Sequence, residues 1–191
     1  MATYLISNIH RCGSSMMMRC LSSAGLDGAY DEDFNVALEL FSNNPNYQPN
    51  PNGFYQLKNQ PNEFTIDLYE GKVLKFPFRK LTKLPQGDYK ICFIKRNPAE
   101  IEKSMQSFTP HKSWGKDSLV LEFYDQVTNA VINNLQQRSD VDLTVLNYAD
   151  IVSNPTNEFT KLYNNGWPID VSTASSLVDD SLYRFRLENT V

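Results

Sequence analysis

The chain has 191 residues, 41% hydrophobic and 21% charged, with a formal net charge of −4. That length can bury a sizeable core and favours a single domain over 1–191, and the acidic balance argues against a general polyanion binder, so no nucleic-acid partner is expected. Three cysteines, Cys12, Cys20 and Cys92, do not suit a disulfide scaffold, and neither a signal peptide nor a membrane-length apolar run is evident, so a soluble cytoplasmic protein with reduced thiols and no membrane partner is expected.

Residues 3 to 9 read as a buried strand, followed by a serine- and glycine-bearing turn and a helix over 14 to 24 closed by Ala24-Gly25. The stretch from 27 to 70 has a different character. It carries Asp31-Glu32-Asp33, a short helical pattern at 34 to 42 and an Asn- and Pro-rich run ending in Pro51-Asn52-Gly53-Phe54-Tyr55, so it reads as a substrate lobe or lid. Regular structure returns with strands at 73 to 76 and 89 to 95. Asn97-Pro98-Ala99-Glu100 is a capping signature, with Pro98 at the first helical position and Glu100 at the third, and the helix it opens presents Ile101, Met105 and Phe108 on one side. A loop at 109 to 116, a helix over 118 to 137 and a strand at 143 to 148 complete the pattern. Strands alternating with helices predict an α/β three-layer sandwich around a mainly parallel sheet, with its ligand at the carboxyl ends of the strands, where Arg11, Arg96 and Tyr148 converge.

The turn His10-Arg11-Cys12-Gly13-Ser14-Ser15 is where chemistry is expected. Gly13 permits a tight reversal, the first N–H groups of the following helix are free to face an anion, Ser14 and Ser15 add hydroxyl donors, and Arg11 adds a charged fork. The pattern is not that of an ATPase loop, because the G-x-x-x-x-G-K-[ST] lysine is missing. Arg11, Lys72, Lys75, Arg96, Arg184 and Arg186 are expected to form a local positive pocket within an acidic protein. The only histidines, His10 and His111, have no cysteine pair beside them, and no metal site is expected.

These segments resemble the sulfotransferases that use 3'-phosphoadenosine 5'-phosphosulfate (PAPS), in particular their small microbial branch. His10 to Ser15 is similar to that family's 5'-phosphosulfate loop, with His10 in place of the usual proline and Cys12 in place of the usual serine. Ile94-Lys95-Arg96-Asn97-Pro98 followed by Ser104 resembles the 3'-phosphate motif, and Val145 to Pro155 the segment whose tyrosine, here Tyr148, packs near the adenine. Gly71 to Lys75 with Leu84-Pro85, and Asp180 to Arg186, are similar to the central strand and the C-terminal tail. The resemblance implies a P-loop nucleotide-transferase fold and PAPS as donor. It implies that Arg11, Cys12, Gly13, Ser14, Ser15, Met16, Arg96, Ser104, Tyr148, Arg184 and Arg186 bind the donor, with Lys75 and Arg11 at the transferring group. Many family members carry a histidine shortly after that lysine; this chain has Phe76-Pro77-Phe78, which leaves Asp31, Glu32, Asp33 and His10 as candidate bases. The implied reaction is sulfuryl transfer to a hydroxyl or amine of a small-molecule or carbohydrate acceptor, with Phe54, Tyr55 and Phe64 as candidate acceptor contacts. An ATP- or GTP-dependent small-molecule kinase and a catalytically inactive nucleotide-binding protein are the alternatives.

Overall fold

A computed structural model describes residues 1–33, 50–62, 65–108 and 121–187. The helix expected at 34–42, the loop at 109–116, Phe64 and His111 lie outside the described residues.

The fold is α/β, built on a five-stranded, all-parallel sheet flanked by helices. Strands β1 (Thr3–Asn8), β2 (Asp27–Gly28), β3 (Lys72–Lys75), β4 (Tyr89–Lys95) and β5 (Val141–Asn147) stand in the order β2-β3-β1-β4-β5. Central β1 runs Tyr-Leu-Ile through the core, and Leu5 and Ile6 are completely buried, as a strand covered on both faces requires. At the edge, β5 alternates instead, with Thr144 and Leu146 inward and Val145 outward. The chain leaves β1 towards β2 on one side and leaves β4 towards β5 on the other. The crevice of this sheet therefore opens between the carboxyl ends of β1 and β4.

Helix α1 (Ser14–Ser23) starts directly after Gly13 and buries Met17, Met18, Cys20 and Leu21. Its end is set by Gly25 at φ 114°, with the Leu26 N–H returning to the Leu21 carbonyl at 3.2 Å. Helix α2 (Pro98–Phe108) begins as expected, with the Ala99 N–H donating to Asn97 Oδ1 at 2.9 Å. Ile101 and Met105 are buried on it; the Phe108 side chain lies outside the described residues. Helix α3 (Tyr124–Gln136) is the regular part of the helix expected over 118–137.

Several elements differ from expectation. Asp27 and Gly28, expected to open the 27–70 lobe, pair with β3, because burial of Leu26 and Ala29 carries the chain along the sheet edge. Lys72, expected in the positive pocket, begins β3 at the opposite end of the sheet and pairs with Asp27 at 2.9 Å. The strand expected at 143–148 runs from 141 to 147, and Tyr148 opens α4 (Tyr148–Ser153). Two further helices follow: α5 (Pro155–Asn164), capped by Asn154, and α6 (Val171–Ser176), capped by Asp170. Asn154-Pro155 is a helix-start signal that would have located α5.

All three cysteines are buried, Cys12 in the loop after β1, Cys20 in α1 and Cys92 in β4. Among the described residues, no helix is long and apolar enough to cross a membrane.

Candidate functional site

At the carboxyl end of β1 the backbone turns through two left-handed residues, Arg11 at φ 68° and Gly13 at φ 90°. Between them Cys12 is fully buried, and its Sγ donates to the His10 carbonyl at 3.8 Å. Burial pushes the Cys12 thiol up to about 12, so its side chain serves as a neutral pin beneath the loop. Glycine is required at position 13 for a second reason: a Cβ there would lie 2.4 Å from the Tyr148 ring.

The two expected phosphate arginines meet at this turn. Arg96 Nη1 donates to the Arg11 carbonyl at 2.8 Å, and Arg11 Nε donates to Ser104 Oγ at 3.1 Å, with Ser104 only 2% exposed. The Arg96 guanidinium lies 4.6 Å from the Tyr148 ring centroid and 5.2 Å from that of Tyr183, and its Nε pairs with Glu100 Oε2 at 3.0 Å. Its backbone N–H donates to the Tyr124 hydroxyl at 2.9 Å, which fixes the last turn out of β4.

Glu100, read from sequence as part of a capping box, has a different job. It is 4% exposed and accepts from Arg96, from the Tyr183 hydroxyl at 2.8 Å to each oxygen, and from the Leu187 N–H at 3.1 Å. A buried carboxylate with three donors, the Tyr183 hydroxyl shared between its two oxygens, holds the C-terminal tail against α2. The tail brings Arg186 over the Tyr183 ring at 4.6 Å; Arg184 is exposed. Burial and the Glu100 carboxylate push the Tyr183 hydroxyl up to about 12, so it remains a donor at neutral pH.

On the other side of β1, Lys75 ends β3 beside the loop. Its Nζ donates to Ser15 Oγ at 2.8 Å and to the Phe54 carbonyl, which also accepts from Ser15 Oγ at 3.2 Å. Burial and, secondarily, the Arg11 charge lower Lys75 from its ordinary 10.5 to about 7.

A narrow open cleft runs along this loop, lined by Arg11, Gly13, Ser14, Ser15 and Met16, and by Arg19, Tyr148, the 50–53 segment, Leu177, Asp179 and Leu182. A larger open hollow of about 590 Å³ lies on the other side of Tyr148 and includes Arg96, Tyr183 and Arg186. The smaller cleft fits a bound anion better, because Ser14, Ser15 and the start of α1 face it. The candidate bases stand apart from both hollows. His10, Asp31 and Asp33 are exposed and line neither, and Asp31 instead accepts the Lys58 N–H at 2.7 Å. Asp150 accepts from Asn147 Nδ2 at 3.0 Å, anchoring the start of α4.

Sequence reasoning missed Glu100 as a buried partner, Tyr183 as its donor, and Arg19 and Asp179 as cleft residues. The Arg19 position, one turn beyond Ser15 on the cleft face of α1, was legible from helical spacing.

No family model matches the chain, and no curated protein matches it. Among solved structures, the chain is similar to a crystal structure of a sulfotransferase from Alicyclobacillus acidocaldarius. The TM-score is 0.50 and the identity 14%, over 99% of this chain and 87% of that one. The two share a fold. At that identity the likeness concerns the path of the backbone, and what the side chains do follows from the contacts described above.

Proposed function

We propose that the chain is a PAPS-dependent sulfotransferase acting on a hydroxyl or amine of a small-molecule or carbohydrate acceptor. The observation that carries the reading is the joining of two separate cationic elements at one loop: Arg11 bonded to Ser104 and to Arg96 on one side, and Lys75 bonded to Ser15 on the other. The site suits the donor in its chemistry. A glycine turn packed so tightly on Tyr148 that no Cβ fits, a helix N-terminus with two serines, and a half-buried lysine with no carboxylate partner among the described residues make a cradle for anionic oxygens.

In this reading the donor supplies an activated sulfuryl group. Ser14, Ser15 and the first amides of α1 hold the 5' end, and Arg11 and Lys75 stabilise charge on the transferring oxygens and the leaving phosphate. Ser104 and Arg96 serve the 3'-phosphate, Arg96 also keeping the Arg11 carbonyl in place. Tyr148 and Met16 border the base, and Arg186 approaches from the tail. The fold of a solved sulfotransferase over nearly the whole chain supports the reading. The same reading takes 1–191 as one catalytic unit, with the acceptor meeting the segment that carries Phe54 and Tyr55.

Calorimetry with 3'-phosphoadenosine 5'-phosphate, in the absence of magnesium, tests it. Micromolar binding that is lost in Ser104→Ala and Arg96→Ala is the expected result. Binding of ATP with magnesium, and none of the bisphosphate, overturns it in favour of a small-molecule kinase. Bisphosphate binding without sulfuryl transfer to any acceptor supports an inactive nucleotide binder.

A further inference from the structure

The segment that crosses the cleft at residues 50–55 has a conformation that the proposed chemistry does not by itself require. Gly53 and Tyr55 are both left-handed, at φ 97° and 51°, and an L side chain such as tyrosine rarely adopts that backbone. The Phe54 carbonyl between them accepts from Lys75 Nζ and from Ser15 Oγ. The segment is tied down beyond that point: the Asp31 N–H donates to the Gln56 carbonyl at 3.2 Å, the Lys58 N–H to Asp31 Oδ2 at 2.7 Å, and the Tyr55 ring stands edge-on to Tyr30 at 5.1 Å. The fold thus delivers one backbone oxygen, through an unfavourable backbone, to the two donors best suited to hold an anion.

A half-buried ammonium satisfied by a neutral carbonyl and a hydroxyl is open to a better acceptor, because an anionic oxygen adds a Coulombic attraction that a neutral oxygen lacks. We propose that residues 50–55 form a strap whose Phe54 carbonyl stands in for an anion oxygen at Lys75 and Ser15, and that a phosphate or sulfuryl group entering the cleft displaces it. Displacement also frees Tyr55 to leave its left-handed conformation, so part of the cost of releasing the carbonyl is returned. The identity of the natural anion rests on the proposed function; the competition between anion and carbonyl does not.

Hydrogen exchange read by mass spectrometry, with either inorganic pyrophosphate or 3'-phosphoadenosine 5'-phosphate at saturation, tests the strap. The amide of Gly53, bonded to the Asn50 carbonyl within the strap, reports on it, and that of Lys58, bonded to Asp31 beyond the strap, is the fixed reference. Gly53 is expected to exchange faster when the anion is bound, with Lys58 unchanged. A pair of variants tests the same equilibrium by affinity. Tyr55→Asn and Tyr55→Val both lose the ring against Tyr30, but asparagine tolerates the left-handed backbone and valine resists it, so Tyr55→Val is expected to bind pyrophosphate about fivefold more tightly. Anion binding with unchanged or slowed exchange at Gly53, or equal affinities in the two variants, overturns the proposal. Strap release by pyrophosphate without any binding of the bisphosphate retains the strap and removes the sulfuryl-donor reading. Binding of neither anion overturns the strap as well.

Discussion

The surroundings of Lys75 act strongly on its charge, and this makes the protein's stability depend on pH in a definite direction. Its ammonium is held near 7 in the folded chain against 10.5 ordinarily, so between those values the unfolded chain binds the extra proton. The penalty of burying the charge is complete below about pH 7 and is relieved as pH rises towards 10.5. Denaturant melts are therefore expected to show stability rising by up to about 1.4 kcal/mol per pH unit over that window from this group, with the slope removed in Lys75→Met. An anion beside the lysine favours its charged form, so binding of the bisphosphate at pH 8 is expected to take up a proton. Calorimetry in buffers of different ionisation enthalpy checks this, and the uptake is expected to vanish in Lys75→Met. At Gly13 both the left-handed backbone and the Tyr148 ring oppose a side chain. Gly13→Ala is expected to cost at least about 1–2 kcal/mol in urea melts, only partly recovered by adding Tyr148→Ala, since the backbone cost of about that size stays. Gly13 was legible as a turn residue in the sequence; the ring that makes it obligatory was not, because Tyr148 arrives from 135 residues along the chain.

Elements are joined here by charged clasps that local sequence rules cannot show. Strands β1 and β4 stand out in the sequence because a strand buried on both faces is mostly apolar along its centre, as Tyr4-Leu5-Ile6 and Ile91-Cys92-Phe93-Ile94 are, and α2 because Asn97-Pro98 opens it. The two-residue β2 has no pattern of its own, since only pairing with β3 makes it a strand. Glu100 fits a local capping rule, yet its partners Tyr183 and Leu187 lie 83 and 87 residues away. Removing that carboxylate leaves the 7%-exposed Arg96 side chain without its counter-charge, though still bonded to the Arg11 carbonyl, so Glu100→Ala is expected to cost about 3–5 kcal/mol and Glu100→Gln less, as read by urea denaturation. Tyr183→Phe is expected to loosen the tail and speed tryptic cleavage at Arg184 and Arg186 with a smaller loss of stability. A second clasp braces the entry to β5: Arg138 donates to Asp140 and to the carbonyls of Leu84 and Pro85, and Asp140 also accepts the Gly87 N–H at 2.9 Å. The Arg138 guanidinium holds the Asp140 carboxyl well below the usual range. That contribution is present above the ordinary aspartate range and is lost as pH falls through the folded value. Asp140→Asn is accordingly expected to destabilise the protein at pH 7, with the gap to the parent closing in acid melts.

At the scale of the whole molecule, the strand order places the loops after β1 and β4 side by side, and this adjacency lets residues as distant as Arg11 and Ser104 act together. The alternation of strands and helices made the sheet legible, and the spacing of Arg96 and Ser104 made one side of the site legible. The use of Phe54 as a ligand of Lys75 was not, because it depends on how a segment without a periodic pattern folds back over the loop. Since a ligand that binds only the folded chain stabilises it, the bisphosphate at 100 times its dissociation constant is expected to add about 2.7 kcal/mol, visible as a raised Tm. The buried cysteines give the molecule a built-in set of clocks. Cys12 lies under the loop and becomes accessible if that turn opens, whereas Cys92 lies in β4 beside the central strand and needs the sheet itself to part. The order in which a thiol-blocking reagent reaches the two therefore separates breathing of the loop from global unfolding, and a bound anion that holds the loop closed should slow the first clock beyond its effect on the second.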